Sequence, residues 1–339
     1  MKKLFILAAA IVAFASCSKE QATYVEDGSI KFTNAQTRAT VETTTASLNV
    51  ASSFKVLGSA KSDGATAATT IFNNEITKWN DDATTDYWST VTKKFWANNT
   101  EYNFFAVFPN SYNLIMAGDQ HSASFNYTNA GEEDLILAGT QVKTEGDGTK
   151  HGPANLTFNH ALSRVKFNFT NGVTSANTEV KVDITGLELV NEKQSADVTI
   201  GNDNKISWGT PTSAGNISYM VDTEFTGKEI AEGASMPTAY KYVIPAENKE
   251  YKLYGTIKLY DETATIREYV FNESNPLVVK VIDASSNVTK EELTHEAGKS
   301  YTYNMTISET LKEITFTVTV EPWKNGNGEN GENIEFPNN

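Results

Sequence analysis

Only one of the 339 residues is a cysteine, Cys17, so no intramolecular disulfide is available and no cysteine-rich zinc site can form. Stability must therefore come from apolar packing and sheet hydrogen bonds. Histidine is almost as scarce. His121, His151, His160 and His295 lie far apart, and neither a His-Glu-x-x-His pattern nor a Gly-x-Ser-x-Gly elbow occurs. A lone histidine in a strand is more often a hydrogen-bonded core or surface group than a ligand, and His160 is read that way. Arginine occurs three times, at Arg38, Arg164 and Arg267. Basic residues are outnumbered, 28 to 42, and the net charge of −14 disfavours nucleic acid and anionic headgroups as partners. Helical periodicity is nearly missing, and beyond residue 16 no apolar run is long enough to cross a bilayer.

What is present starts at the N-terminus. Lys2 and Lys3 precede a short apolar run from Leu4 to Ser16, the pattern of a secretory signal, residues 1–16. Losing those two lysines takes the net charge from −14 to −16. Cys17 stands at the cut, where Phe14-Ala15-Ser16-Cys17 resembles a bacterial lipobox, in which the thiol takes a diacylglyceryl group and becomes the mature N-terminus. Two acyl chains at one point suffice for stable anchoring. The bland alternative is an ordinary secreted protein whose cysteine falls there by chance.

Elsewhere apolar and polar residues alternate with period two, so the expected class is all-β and mostly antiparallel. Tyr301, Tyr303, Met305 and Ile307 form one half-buried strand, and Ile314, Phe316, Val318 and Val320 its hairpin partner. Tyr251 to Leu259 turns at Asp261-Glu262-Thr263-Ala264 and returns through Ile266 to Phe271. Tyr102 to Phe108 is apolar on both faces, as a central strand is, and Pro109 closes it. Further strands are expected at Leu48 to Leu57, Val180 to Leu189, Val198 to Ile206 and Tyr240 to Ile244. Between Leu156 and Phe169 the apolar phase switches, which predicts a bulge or kink. Chain length favours two domains, placed at 17–170 and 171–339 with a boundary near Asn171-Gly172. Thr37 to Ser47 and Lys324 to Asn333 are of low complexity.

Other patterns carry little chemistry. Gly326-Asn327-Gly328-Glu329-Asn330-Gly331 matches the dinucleotide fingerprint as a string, but the helix and second strand that it requires have no room between Glu332 and Asn339, so it is read as a linker. Asp81, Asp82 and Asp86, or Glu145 and Asp147, are read as solvated acidic loops rather than a calcium site. Neither a cofactor nor a metal is called for, and no enzyme is expected. Trp79, Tyr87, Trp88, Phe95 and Trp96 would make a sugar-stacking platform if exposed together and part of the core if buried; core is the favoured reading.

Taken together, Leu156 to Phe167, Gly298 to Met305, Ile314 to Val320, the closing Glu321-Pro322-Trp323, the Tyr102 to Pro109 strand and the leader resemble the fimbrillin family of Gram-negative lipoproteins. The resemblance implies two β-sandwich domains in tandem and a subunit of a surface pilus (fimbrium) that supports adhesion, with other copies or related subunits as partners. It also implies attachment to outer-membrane lipid through Cys17 before processing, an Arg-specific cut between Arg38 and Ala39, and replacement of the lost strand by one from a neighbour. Ser29 to Thr33 alternates as that removable strand should, and Arg38 comes after it in a polar stretch. Arg164 and Arg267 fall inside predicted strands, out of a protease's reach. Ile334 and Phe336 share one face of a candidate donor strand, with the Ile314 to Val320 hairpin as the alternative. A non-polymerising anchor or tip subunit, or a glycan-binding surface lipoprotein, are the rival functions, and the adhesion target would be a host surface or a glycan.

Overall fold

The computed structural model describes residues 27–34, 53–82, 85–146, 151–174, 179–219, 229–261, 264–282, 289–308 and 316–323. Every regular element among them is a β-strand. The first ten are β1 (Phe32–Asn34), β2 (Lys55–Ser62), β3 (Thr69–Asp82), β4 (Thr85–Thr90), β5 (Thr100–Phe108), β6 (Ile115–Met116), β7 (Ser122–Thr128), β8 (Ile136–Lys143), β9 (Ala154–Leu156) and β10 (Asn159–His160). Then come β11 (Ser163–Asn171), β12 (Lys181–Gly201), β13 (Ile206–Trp208), β14 (Thr212–Ser218), β15 (Ser235–Pro237), β16 (Lys241–Val243), β17 (Ala246–Glu250) and β18 (Lys252–Tyr260). The last are β19 (Thr265–Phe271), β20 (Leu277–Val278), β21 (Val281–Ile282), β22 (Thr289–Lys290), β23 (Glu292–His295), β24 (Lys299–Ile307) and β25 (Thr317–Pro322).

The first packing unit is one eight-stranded sheet in the order β10-β8-β5-β2-β3-β4-β1-β9. Its two end strands are consecutive in the chain, separated only by Thr157 and Phe158, so the sheet must roll until its edges nearly meet. The central strand β5 is buried on both faces, as its sequence predicts. Tyr102, Phe104 and Ala106 face one core with Phe32, Val56 and Phe72. Phe105 and Val107 face another, against Phe125 and Tyr127 of β7 and Val198 and Ile200 of β12. Gly139 of β8 permits that second contact: a Cβ there would lie 2.0 Å from the Gly201 carbonyl oxygen.

The second unit packs β11, β15, β16, β24 and β25 against the proximal part of β12 with β14, β18, β19 and β20. Phe167, Phe169, Ile184, Leu253, Tyr303 and Phe316 form the centre of its core. The 21-residue β12 belongs to both units, pairing Lys181 to Leu189 with β18 and Ser195 to Gly201 with β7. It manages this by changing phase. Inward residues run Val182 and Ile184, then Leu187 and Leu189 after a register shift at Gly186 (φ 61°), then Ala196, Val198 and Ile200 after shifts near Asn191 (φ 59°). The strand expected at Val180 to Leu189 and the start of the one expected at Val198 to Ile206 are thus one, while the latter ends at Gly201, where the chain turns through Asn204 (φ 64°) and Ile206 opens the antiparallel β13. The expected boundary near Asn171-Gly172 falls at the end of β11, and packing crosses it in both directions, since β11 pairs with β24 and distal β12 with β7.

Two local expectations need correction. The phase switch between Leu156 and Val165 is no bulge: β9 and β10 are separate strands of the rolled sheet, and β11 starts in the second unit. The chain changes sheet, so inward and outward exchange meaning. Nor is the last strand half-buried throughout. Phe316 is fully buried, but Val320 is 49% exposed because β25 is an edge strand that little covers.

Candidate functional site

The N-terminal strand occupies an internal position of the rolled sheet. Phe32 lies opposite Trp88 of antiparallel β4 and beside Ala154 of parallel β9. Upstream, Ser29 bridges to Phe95, the Ile30 N–H donates to the Lys94 carbonyl (2.7 Å), and the Trp96 N–H donates to the Gly28 carbonyl (3.0 Å). On the other side the Ala154 N–H donates to the Lys31 carbonyl (2.8 Å). Gly28, at φ 70°, gives the left-handed turn that starts this path.

Alternation then sorts the side chains. Ile30 and Phe32 are 2% and 0% exposed, and Phe32 meets Phe72 and Phe104 edge-on at ring distances of 5.8 and 5.3 Å. Lys31 takes the opposite face, its ammonium 4.6 Å from the Tyr87 ring and 3.6 Å from the Asp27 carboxylate. Asp27 also accepts from Lys93 (2.8 Å) and from the Ser29 N–H (3.0 Å). The hydrogen bond from Lys93, seconded by Ser29, holds the Asp27 carboxyl well below the usual range and raises Lys93 in turn. The seat is thus two deep apolar positions flanking one outward position in a cluster of charge.

Of the residues singled out by sequence, Cys17, Arg38, Ala39, Ile334 and Phe336 lie outside the described residues. The aromatic group does not make an open platform. Trp88 and Trp96 are each 5% exposed, Trp79 packs on Trp88 at 4.3 Å, and Trp96 packs on Tyr102 at 4.8 Å, while Phe95 is exposed. Among the described residues no group of three His, Cys, Asp or Glu side chains could hold a metal ion. Arg164 is buried, donating to the Ser300 hydroxyl (2.6 Å). Arg267 corrects the view that both of these arginines are out of reach, because its side chain is exposed on the edge strand β19.

His160 is a satisfied core group as expected, 2.7 Å from Asp134 and stacked on Trp323 (3.7 Å, 10°). Trp323 also faces Tyr242 and the Arg164 guanidinium, pinning the end of β25 between the two units. Sequence reasoning missed one buried cluster. Glu192 pairs with Lys249, burial pushing its carboxyl up to about 7, while burial pulls His295 down to about 3 beside Tyr303. It also missed the Asp27 to Lys93 pair, for which no local signal exists, since 66 residues separate the partners.

A model of the fimbrillin-like family matches residues 25–323, which takes in the β1 seat, both packing units and Trp323. The chain belongs to the fimbrillin-like family. A solved fimbrial protein from Bacteroides vulgatus matches this fimbrillin-like chain with a TM-score of 0.53 at 16% identity, over 87% of this chain and 99% of its own. At that identity it shows a shared fold. A candidate cell adhesion protein from Bacteroides uniformis matches at a TM-score of 0.47 and 15% identity, over 87% and 97% of the two chains. No curated protein matches.

Proposed function

We propose that this fimbrillin-like chain is a structural subunit of a surface fimbrium, exported as a precursor lipidated at Cys17, cut between Arg38 and Ala39, and polymerised by strand replacement. The observation that carries this reading is the position of β1. It ends four residues before Arg38 yet lies inside a sheet, and it begins with a fully buried phenylalanine. Loss of an edge strand would leave a sheet one strand shorter, with the next strand as its edge. Loss of β1 with the residues that lead into it strips the Gly28 and Lys31 carbonyls from the Trp96 and Ala154 N–H groups and removes Phe32 from its contacts with Phe72 and Phe104. An incoming strand restores both the hydrogen bonds and the apolar contacts, so each junction completes a fold without a cofactor or external energy.

The role is structural rather than enzymatic, the partners are other copies or related subunits, and the lipid serves until processing. The N-terminus and mass of protein sheared from expressing cells test this. A start at Ala39 in high-mass, detergent-resistant material supports it. A start at acylated Cys17 in monomeric material overturns polymerisation and leaves an anchor subunit or a glycan-binding lipoprotein.

A further inference from the structure

We propose that the outer face of the β3–β4 hairpin and the loop after it, bearing Ile76, Lys78, Tyr87, Val91, Lys93 and Phe95, lies against the lipid surface that holds acylated Cys17. The inference rests on the lipid-anchored precursor proposed above and goes further, giving that precursor a second, noncovalent membrane contact and a fixed orientation.

The hairpin sorts its side chains by alternation. Trp79 and Trp88 lie opposite each other and pack on the inner core, so the positions between turn outward: Ile76, Lys78 and Asn80 on β3, Tyr87 and Ser89 on β4. Across that outer side the Asn80 amide donates to the Ser89 hydroxyl (2.8 Å). The Thr77 to Thr90 pair ends the ladder, with Ile76 and Val91 next to it. Ile76 is 46% exposed, Val91 78% and Phe95 59%, three of the seven large apolar side chains that are exposed among the described residues.

Single exposed apolar residues are ordinary; their company here is not. The chain as a whole is acidic, yet Lys78 and Lys93 are exposed on this strip, and the Lys31 ammonium lies 4.6 Å from the half-buried Tyr87 ring. Asp81, Asp82 and Asp86 fall at the opposite end of the same ladder. Apolar and aromatic side chains interleaved with lysines suit a membrane–water boundary, where the former enter the acyl region and the ammonium groups stay among the phosphates.

The anchor names the occupant. Ten residues separate Cys17 from Asp27, so the acylated end lies at most about 35 Å from Asp27. Asp27 accepts from Lys93 (2.8 Å), and Ser29 bridges to Phe95, so the anchored segment joins the fold at this strip. A short tether makes the second contact intramolecular, at an effective concentration of about millimolar, and a few weakly inserting side chains then suffice.

The test uses the full acylated chain in vesicles of phosphatidylethanolamine and phosphatidylglycerol that contain a spin-labelled lipid. Acylation consumes Cys17, the only cysteine, so Val91→Cys and, in the second unit, Ile266→Cys can each carry a single fluorescent dye. Both positions are exposed, so both variants should fold. The dye at 91 should be quenched by the lipid at least about threefold more strongly than the dye at 266. Adding Lys78→Glu should weaken quenching at 91 at low salt, and that difference should shrink at high salt. Equal quenching at 91 and 266 in protein that floats with the vesicles would overturn the docked face and leave the lipid anchor standing. A change at 91 that follows the amount of protein per vesicle and not the quencher would assign the strip to a second copy, overturning the lipid contact. Protein that does not float would overturn acylation at Cys17, and this proposal with it.

Discussion

Phe32→Ala in the uncut chain tests whether β1 is held by its apolar face. Phe32 has no exposed surface and two edge-on aromatic partners, and truncating such a phenylalanine costs about 3–5 kcal/mol. Because β1 is short and near one end of the described chain, the loss should first show as local opening, with global unfolding much less affected. Native-state hydrogen exchange separates the two. The Trp96 and Ala154 amides, which bond to Gly28 and Lys31 of the strand, should exchange at least about a hundredfold faster, the equivalent of about 3 kcal/mol. The amides of β5, paired on both sides by β2 and β8, should change far less. Trp88 and Trp96 lie in the same core, so tryptophan fluorescence in a urea titration gives the global term. Unchanged protection at both amides, with a global loss under about 1 kcal/mol, would refute the claim that Phe32 anchors the strand.

Other perturbations probe the rest of the fold. Glu192 has its carboxyl raised by burial to about 7, so its native state takes up a proton first; stability from this group is present at low pH and lost as pH rises from about 4.5 through about 7. His295, lowered to about 3, acts oppositely, losing stability as pH falls from about 6.5. The urea midpoint should therefore rise from pH 8 to about 6.5 and then level off, and Glu192→Gln should abolish the rise; an unchanged rise in that variant refutes the assignment. Trp323→Ala should cost about 3–5 kcal/mol and deprotect the β25 amides in exchange measurements, since its stacks on His160 and Tyr242 hold that edge strand. Gly139→Ala should destabilise by about 1–3 kcal/mol in the same titration, because its Cβ would meet the Gly201 backbone. Gly201→Ala should cost less: the nearest atom to a Cβ there is the Asp203 carboxylate, the movable end of a side chain.

Much of this fold is legible in the residues. Alternation in Tyr301 to Ile307 and Tyr251 to Phe271 places three strands within a residue or two of β24, β18 and β19, because a strand with one buried face must alternate. The doubly apolar β5 is legible as central for the converse reason, since a strand buried on both faces is apolar at successive positions. Alternation fails where the meaning of a face depends on distant chain. Ile266 and Val270 alternate like buried residues but are 42% and 48% exposed, since they lie on the face of edge strand β19 opposite Tyr269 and Phe271, which pack on the second core. Leu156 and Val165 keep different phases because they belong to different sheets.

By itself, then, the sequence determined an all-β chain without intramolecular disulfides and a strand ahead of Arg38, because these depend on local pattern and composition. Only the tertiary structure decided that β1 lies inside a sheet, that β12 serves two cores, and that Asp27, Lys31 and Lys93 share one outward corner. Those facts depend on pairing between segments tens of residues apart, which no local pattern encodes.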